Sequence, residues 1–107
     1  MKKTLAAGLV SVSLIMMMGV ASADENQELA KKNGCFGCHA IGHVIVGPAW
    51  NDVSAKYKND PDAEKKLTHS ILTGSSGKWG TKVHMKANNL PPNEAATLAR
   101  YILSLKK

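Results

Sequence analysis

Five consecutive residues stand out as able to do chemistry: Cys35-Phe36-Gly37-Cys38-His39. Cys35 and Cys38 are the only cysteines in the 107-residue chain. Three chemistries use thiols at this spacing: a redox dithiol, half of a zinc site, or two thioether bonds to a porphyrin's vinyl groups with the next histidine beneath the iron. A dithiol module calls for a βαβ pattern and structural zinc for a second pair of ligands; neither is present. A disulfide would close too small a loop to restrain the unfolded chain much. The pattern therefore points to covalent attachment of a c-type haem through Cys35 and Cys38, with His39 as an axial ligand and Phe36-Gly37 as spacers.

Haem iron has a sixth position, which methionine commonly fills in electron carriers. The methionines are Met1, Met16, Met17, Met18 and Met85. The first four fall in a segment that reads as a removable leader. Met1-Lys2-Lys3 is its basic start, residues 5–20 are almost wholly apolar or small, and Ala21-Ser22-Ala23 has the small-x-small form of a cleavage site. The apolar stretch is short for a membrane span of about 20 residues. The expected organisation is thus a cleaved leader over 1–23 and one exported domain over 24–107. Met85 is then the one methionine of the mature chain and the candidate sixth ligand. Its neighbour His84 is the competing ligand, which would give a bis-histidine iron; His43 and His69 read as surface residues.

These groups need elements to place them. The stretch from about Glu25 to Asn33 is helix-prone and stops at Gly34. Residues 36–50 hold Gly37, Gly42, Gly47 and Pro48 and read as a loop. Asn51 or Asp52 is placed to cap a short helix running to about Lys58, with Val53 and Tyr57 on one face. Asp60-Pro61 predicts the next helix start, Leu67, Ile71 and Leu72 its apolar face, and Gly74 its end. Residues 74–93 form a long loop around Met85. A last amphipathic helix begins near Asn93-Glu94, with Ala95, Leu98, Ala99, Ile102 and Leu105 on its stripe. No run alternates well enough for a strand. The fold class is all-α: about four short helices wrapped around a covalently attached haem.

Composition agrees that something apolar is missing. The mature 84 residues contain five aromatics, Phe36, Trp50, Tyr57, Trp79 and Tyr101. Short helices with two long loops are held poorly by so small a core, and chains of this size commonly lean on a cofactor. The length excludes a multidomain enzyme.

Taken together, Cys35-Phe36-Gly37-Cys38-His39, Val46-Gly47-Pro48-Ala49, Gly77-Lys78-Trp79-Gly80, Met85 and Leu98-Ala99-Arg100-Tyr101-Ile102-Leu103 resemble the small bacterial class I cytochromes c of the short periplasmic monohaem type. The resemblance spans nearly all of 24–107. It implies thioether links at Cys35 and Cys38, axial ligation by His39 and Met85, and a Pro48 carbonyl accepting the other His39 ring N–H. It also implies Trp79 along the haem edge near a propionate, and first and last helices crossing near Gly34 and Tyr101. The chain departs from that family in having Lys86 and His84, where proline or an apolar residue is common, and one extra residue between Trp79 and Met85.

The function expected is a periplasmic electron carrier, not an enzyme. By family analogy its partners are a quinol–cytochrome c reductase and a terminal oxidase, nitrite reductase or peroxidase. A haem sensor or enzyme with an open or histidine-ligated sixth position is the alternative, and a thiol–disulfide module a third class. The mature net charge is +4. Its lysines are scattered instead of forming the stripe of a nucleic-acid reader. Lys56, Lys58, Lys65 and Lys66 alternate with acids as a solvated face. No acidic residue lies between Gly74 and Asn93, so Lys78, Lys82 and Lys86 are expected to form a positive rim that steers acidic partners. The protein is expected to be a monomer with no nucleic-acid partner and no stable membrane insertion.

Overall fold

The computed structural model describes residues 22–80 and 84–105. The expected leader, apart from Ser22 and Ala23, lies outside the described residues, as do residues 81–83, Lys82 among them, between Trp79 and Met85.

Among the described residues the fold is four α-helices with two isolated antiparallel bridges and no longer strand: α1 Ala23–Lys32, α2 Trp50–Lys56, α3 Ala63–Thr73 and α4 Pro92–Ser104. Helix α4 is the hub, since α1, α2 and α3 all pack on it. The reason is its stripe. Ala95, Leu98, Ala99 and Ile102 are buried as their spacing predicts, and Tyr101 joins them. Leu105 sits just past the helix end and is half-buried. Ala30 of α1, Trp50 and Val53 of α2, Leu67 and Ile71 of α3, and Leu90 before α4 complete the core. Ser54 of α2 donates from Oγ to the Leu103 carbonyl (2.9 Å), tying α2 to the end of α4.

Helix starts differ from expectation in instructive ways. Helix α2 begins at Trp50 and has no side-chain cap, so neither Asn51 nor Asp52 plays that part. Its first N–H groups are instead taken by the loop after the haem motif: Trp50 N–H donates to Ala40 O and Asn51 N–H to Ile41 O, both at 2.9 Å. A backbone partner ten residues upstream replaces the cap that propensity alone would demand. Helix α3 begins at Ala63 and not at Pro61. Asp60 still behaves as a capping carboxylate, accepting the Asp62 N–H at 2.8 Å, but through a tight preceding turn that contains Pro61. Helix α4 starts at Pro92, one residue earlier than expected, with a proline whose missing N–H costs nothing at that position.

The helix ends match their glycines. Gly34, just past α1, has φ +74°, and Gly74 ends α3 with φ +91°, both in the region that favours glycine. Gly34 is needed for that backbone turn and not for a close helix crossing, because a Cβ there would meet open space.

Candidate functional site

The Cys35–His39 run is shaped by its own backbone. Cys35–Gly37 make one 3-10 turn, and His39 N–H donates to Cys35 O at 3.0 Å. The chain then loops out and returns, with Val46 and Gly47 N–H both donating to Cys38 O (3.1 and 2.7 Å) and Val44 bridging to His39. That return places Pro48 O 2.9 Å from His39 Nδ1. With Nδ1–H donating to this carbonyl, Nε2 is left as a free, unprotonated lone pair, the state in which imidazole binds a metal.

Two further residues hold the ring. Gly47 passes so close that an added Cβ would lie 2.5 Å from the ring's Cε1. Trp50 stacks on the ring, 5.8 Å between centroids and 29° between planes. Phe36 is more than a spacer, since its ring packs on Trp50 at 5.1 Å. Tyr101 meets Trp50 edge-on at 6.1 Å. An aromatic column thus runs from the Cys-x-x-Cys turn to α4, and only its composition, not its geometry, was readable in sequence.

The loop after α3 is seated differently. Gly74 and Ser75 turn back against residues 85–87: Ser75 N–H donates to Met85 O (3.0 Å) and Met85 N–H to Ser75 O (2.9 Å). Three residues on, Asn88 donates to Ile71 O from both its backbone N and its Nδ2, each at 3.0 Å. Trp79 is half-buried, and Lys56 of α2 lies over its ring, Nζ 4.5 Å from the centroid, while donating to Lys78 O at 3.1 Å. Lys56 is therefore engaged with this loop and is not part of a plain solvated face.

Between these two walls lies a cavity of about 460 Å³, within the range of roughly 300–1,000 Å³ typical of cofactor sites. Cys35, Cys38, His39, Pro48, Trp79 and Met85 all line it, so every residue singled out from the sequence is brought to one place. The rest of the wall is mainly apolar, with Val53, Tyr57, Leu67, Ile71, Leu98 and Ile102 reaching it from α2, α3 and α4. No carboxylate is among the lining residues, whereas Lys78, His84 and Lys86 stand exposed at its rim. His43 and His69 are exposed, as expected of surface residues. Val44, Ile45 and Val46 are exposed apolar side chains at 64%, 49% and 41%, and Val46 borders the cavity.

These residues fit a c-type haem. Both thiols are free and face the apolar cavity, Cys35 half-buried and Cys38 exposed. Burial pushes the Cys35 thiol up from its ordinary value. His39 and Met85 reach the cavity from separate segments, and an imidazole nitrogen and a thioether are both donors that haem iron takes.

Comparison with known proteins agrees. The family model for cytochrome c matches residues 23–106. The chain is similar to cytochrome c-552 of Nitrosomonas europaea, 42% identical over 105 residues, covering 97% of this chain and 99% of that protein. It is also 39% identical to cytochrome c-551 of Pseudomonas aeruginosa over 106 residues, covering 99% and 100%. The fold is similar to the crystal structure of wild-type Nitrosomonas europaea cytochrome c552, with a TM-score of 0.72, 43% identity, and coverage of 75% of this chain and 99% of that one.

Proposed function

Because this chain belongs to the cytochrome c family, with one covalently attached c-type haem and an electron-transfer role instead of an enzymatic one, we propose that it is a soluble, monomeric periplasmic carrier with His39 and Met85 as axial ligands. The observation that carries the reading is the shared cavity. Cys35, Cys38, His39 and Met85 converge there, and His39 Nδ1 is engaged by the Pro48 carbonyl, leaving Nε2 free.

When bound, the haem supplies a one-electron change at iron. The chain's own residues do the rest. Cys35 and Cys38 hold the group covalently. Pro48 O and the Trp50 face orient the His39 ring, and the hydrogen bond to Nδ1 makes Nε2 a stronger donor. Leu67, Ile71, Leu98 and Ile102 keep water out of the cavity, so charge change at its centre meets little solvent reorganisation. Met85 is the soft ligand of a raised-potential carrier. Trp79 walls the cavity under its Lys56 clasp.

Residues 1–23 act as the export leader, so the mature N-terminus is Asp24, and N-terminal sequencing of the exported protein checks this. Lys78 and Lys86, with Lys82, steer acidic partner surfaces toward the cavity mouth. The partners are a quinol–cytochrome c reductase as donor and a terminal oxidase, nitrite reductase or peroxidase as acceptor.

The absorption spectrum of the oxidised holoprotein tests the ligation. A far-red band of sulfur-ligated ferric haem is expected, and Met85→Ala should abolish it and open the reduced protein to carbon monoxide. A wild-type protein lacking that band and binding carbon monoxide promptly would favour an open sixth position. A protein with neither property would point to His84, which borders the same cavity.

A further inference from the structure

Met85 is held by the end of α3, and the contact between them is unusually exacting. Gly74 has φ +91°, and a Cβ built on it would lie 2.7 Å from Met85 O and 3.2 Å from Ala87 N. Both are backbone atoms, so no side-chain rotation relieves the clash. The same residue's N–H donates to Ser70 O at 2.8 Å, closing α3. One residue later, Ser75 and Met85 exchange both backbone hydrogen bonds. Ile71, one turn earlier, belongs to the buried core and accepts from Asn88. The position of Met85 is therefore continuous with the helix core through a seam of backbone atoms that closes only if residue 74 has no side chain.

We propose that Gly74 is a positioning residue for the sixth ligand. By letting the 85–87 backbone lie flat against the end of α3, it holds the Met85 thioether toward the cavity and sets how readily that ligand leaves. The proposal rests on Met85 being the ligand. It adds that the strength of ligation is governed by a residue which itself reaches no haem. The seam and the ligand are coupled in both directions: loosening the seam releases the ligand, and removing the ligand loosens the seam.

The experiment titrates cyanide into oxidised holoprotein and follows the far-red band. Gly74→Ala should lower the cyanide concentration that removes half the band by about tenfold or more. Ala95→Gly, a control in the buried face of α4 away from the cavity lining, lowers general stability by lost packing and helix propensity. Its cyanide midpoint should stay within twofold of wild type. A Gly74→Ala midpoint within twofold of wild type, or an Ala95→Gly midpoint shifted as far as that of Gly74→Ala, overturns the proposal while leaving Met85 ligation standing. A wild-type protein with no far-red band overturns Met85 ligation and the proposal together.

If Gly74→Ala yields no holoprotein, amide exchange on the wild type decides. Saturating cyanide should speed exchange of the Ser75 and Met85 amides at least tenfold and leave that of Asn51, on the histidine side, unchanged. Equal rates with and without cyanide at Ser75 and Met85 overturn the proposal.

Discussion

The two walls of the cavity are built on different principles. On the His39 side every backbone hydrogen bond that shapes the site joins residues no more than ten apart, from Cys35–His39 to Asn51–Ile41, and the Pro48–His39 contact spans nine. On the Met85 side the Ser75–Met85 pairing also spans ten, but it is held by contacts spanning 17 residues, Asn88 to Ile71, and 22, the Lys56 side chain to Lys78 O. A short-range wall closes small loops and assembles early. A long-range wall needs α2 and α3 already in place, and its loop-closure cost is larger. The Met85 wall is therefore the one expected to open first in the folded protein, by local unfolding that leaves the His39 wall intact. With His39 and Met85 as the proposed ligands, the histidine would be the more firmly held of the two and the methionine the more exchangeable.

The largest effect should come from removing what joins the walls. Cys35→Ser combined with Cys38→Ser abolishes covalent attachment, and haem staining of a denaturing gel should show none. The apo-chain is expected to be largely unfolded, because the cavity's apolar lining then faces water. A cooperatively melting apo form by circular dichroism would mean that the walls hold each other without the haem.

Next come two glycines that separate crowding from backbone strain. Gly47→Ala drives a methyl into the His39 ring, an overpacking cost of about 1–3 kcal/mol, and should also alter the haem spectrum. Gly77, on the other wall, has φ +77° with nothing within 4 Å of an added Cβ. Gly77→Ala should cost about 1–2 kcal/mol through backbone strain alone and leave the spectrum of the His39 side untouched. Guanidinium midpoints and spectra of both holoproteins make the comparison.

A smaller, kinetic difference is expected in charge. Reversing Lys78 and Lys86 to Glu should slow electron transfer to an acidic partner by about tenfold at low salt, with the gap closing as ionic strength rises. The same reversal at Lys31 and Lys32, before the haem motif, should do less. Stopped-flow rates against salt test this, and a flat profile for wild type would remove steering altogether.

The smallest effect lies off both walls. Lys66 beside Asp60 holds that carboxyl below its ordinary value, chiefly through their hydrogen bond. The stabilisation is present above the unfolded carboxyl's pKa of about 3.9 and is lost as pH falls through the lower folded value. Lys66 is raised by the same pair, so its share persists below about 10.4 and is lost as pH rises through the folded value. Asp60→Asn should remove both dependences from a denaturation-midpoint profile while leaving the far-red band unchanged.

Much of this architecture was legible in the residues. The cysteines and histidine of the C-x-x-C-H run, Met85 and the α4 stripe through Ile102 were legible in the sequence, and the structure brings them to the cavity or the core. The apolar faces of α2 and α3 followed from helical periodicity. Where the outcome went beyond a local signal, a partner elsewhere in the chain replaced that signal or added to it. Asn51 and Asp52 look like caps, but Ala40 and Ile41 carbonyls satisfy the helix start instead. Lys56 looks like a surface charge, but Trp79, 23 residues away in sequence, draws it onto an aromatic face. Gly74 reads as a helix stop, which it is, yet its crowding against Met85 O depends on a loop eleven residues later. Propensity and periodicity describe a residue's neighbours along the chain, and these three outcomes were decided by neighbours across it.

The placement of Trp50 and Trp79 has an optical consequence. They are the chain's only indoles, and both border the cavity, one on each wall. Haem absorbs where indole emits, so energy transfer should leave the folded holoprotein nearly dark. Emission from a Trp50→Phe protein would then brighten when the methionine wall swings away, and emission from a Trp79→Phe protein only when the histidine wall comes apart. The molecule thus carries its own pair of lamps, one for each half of its unfolding.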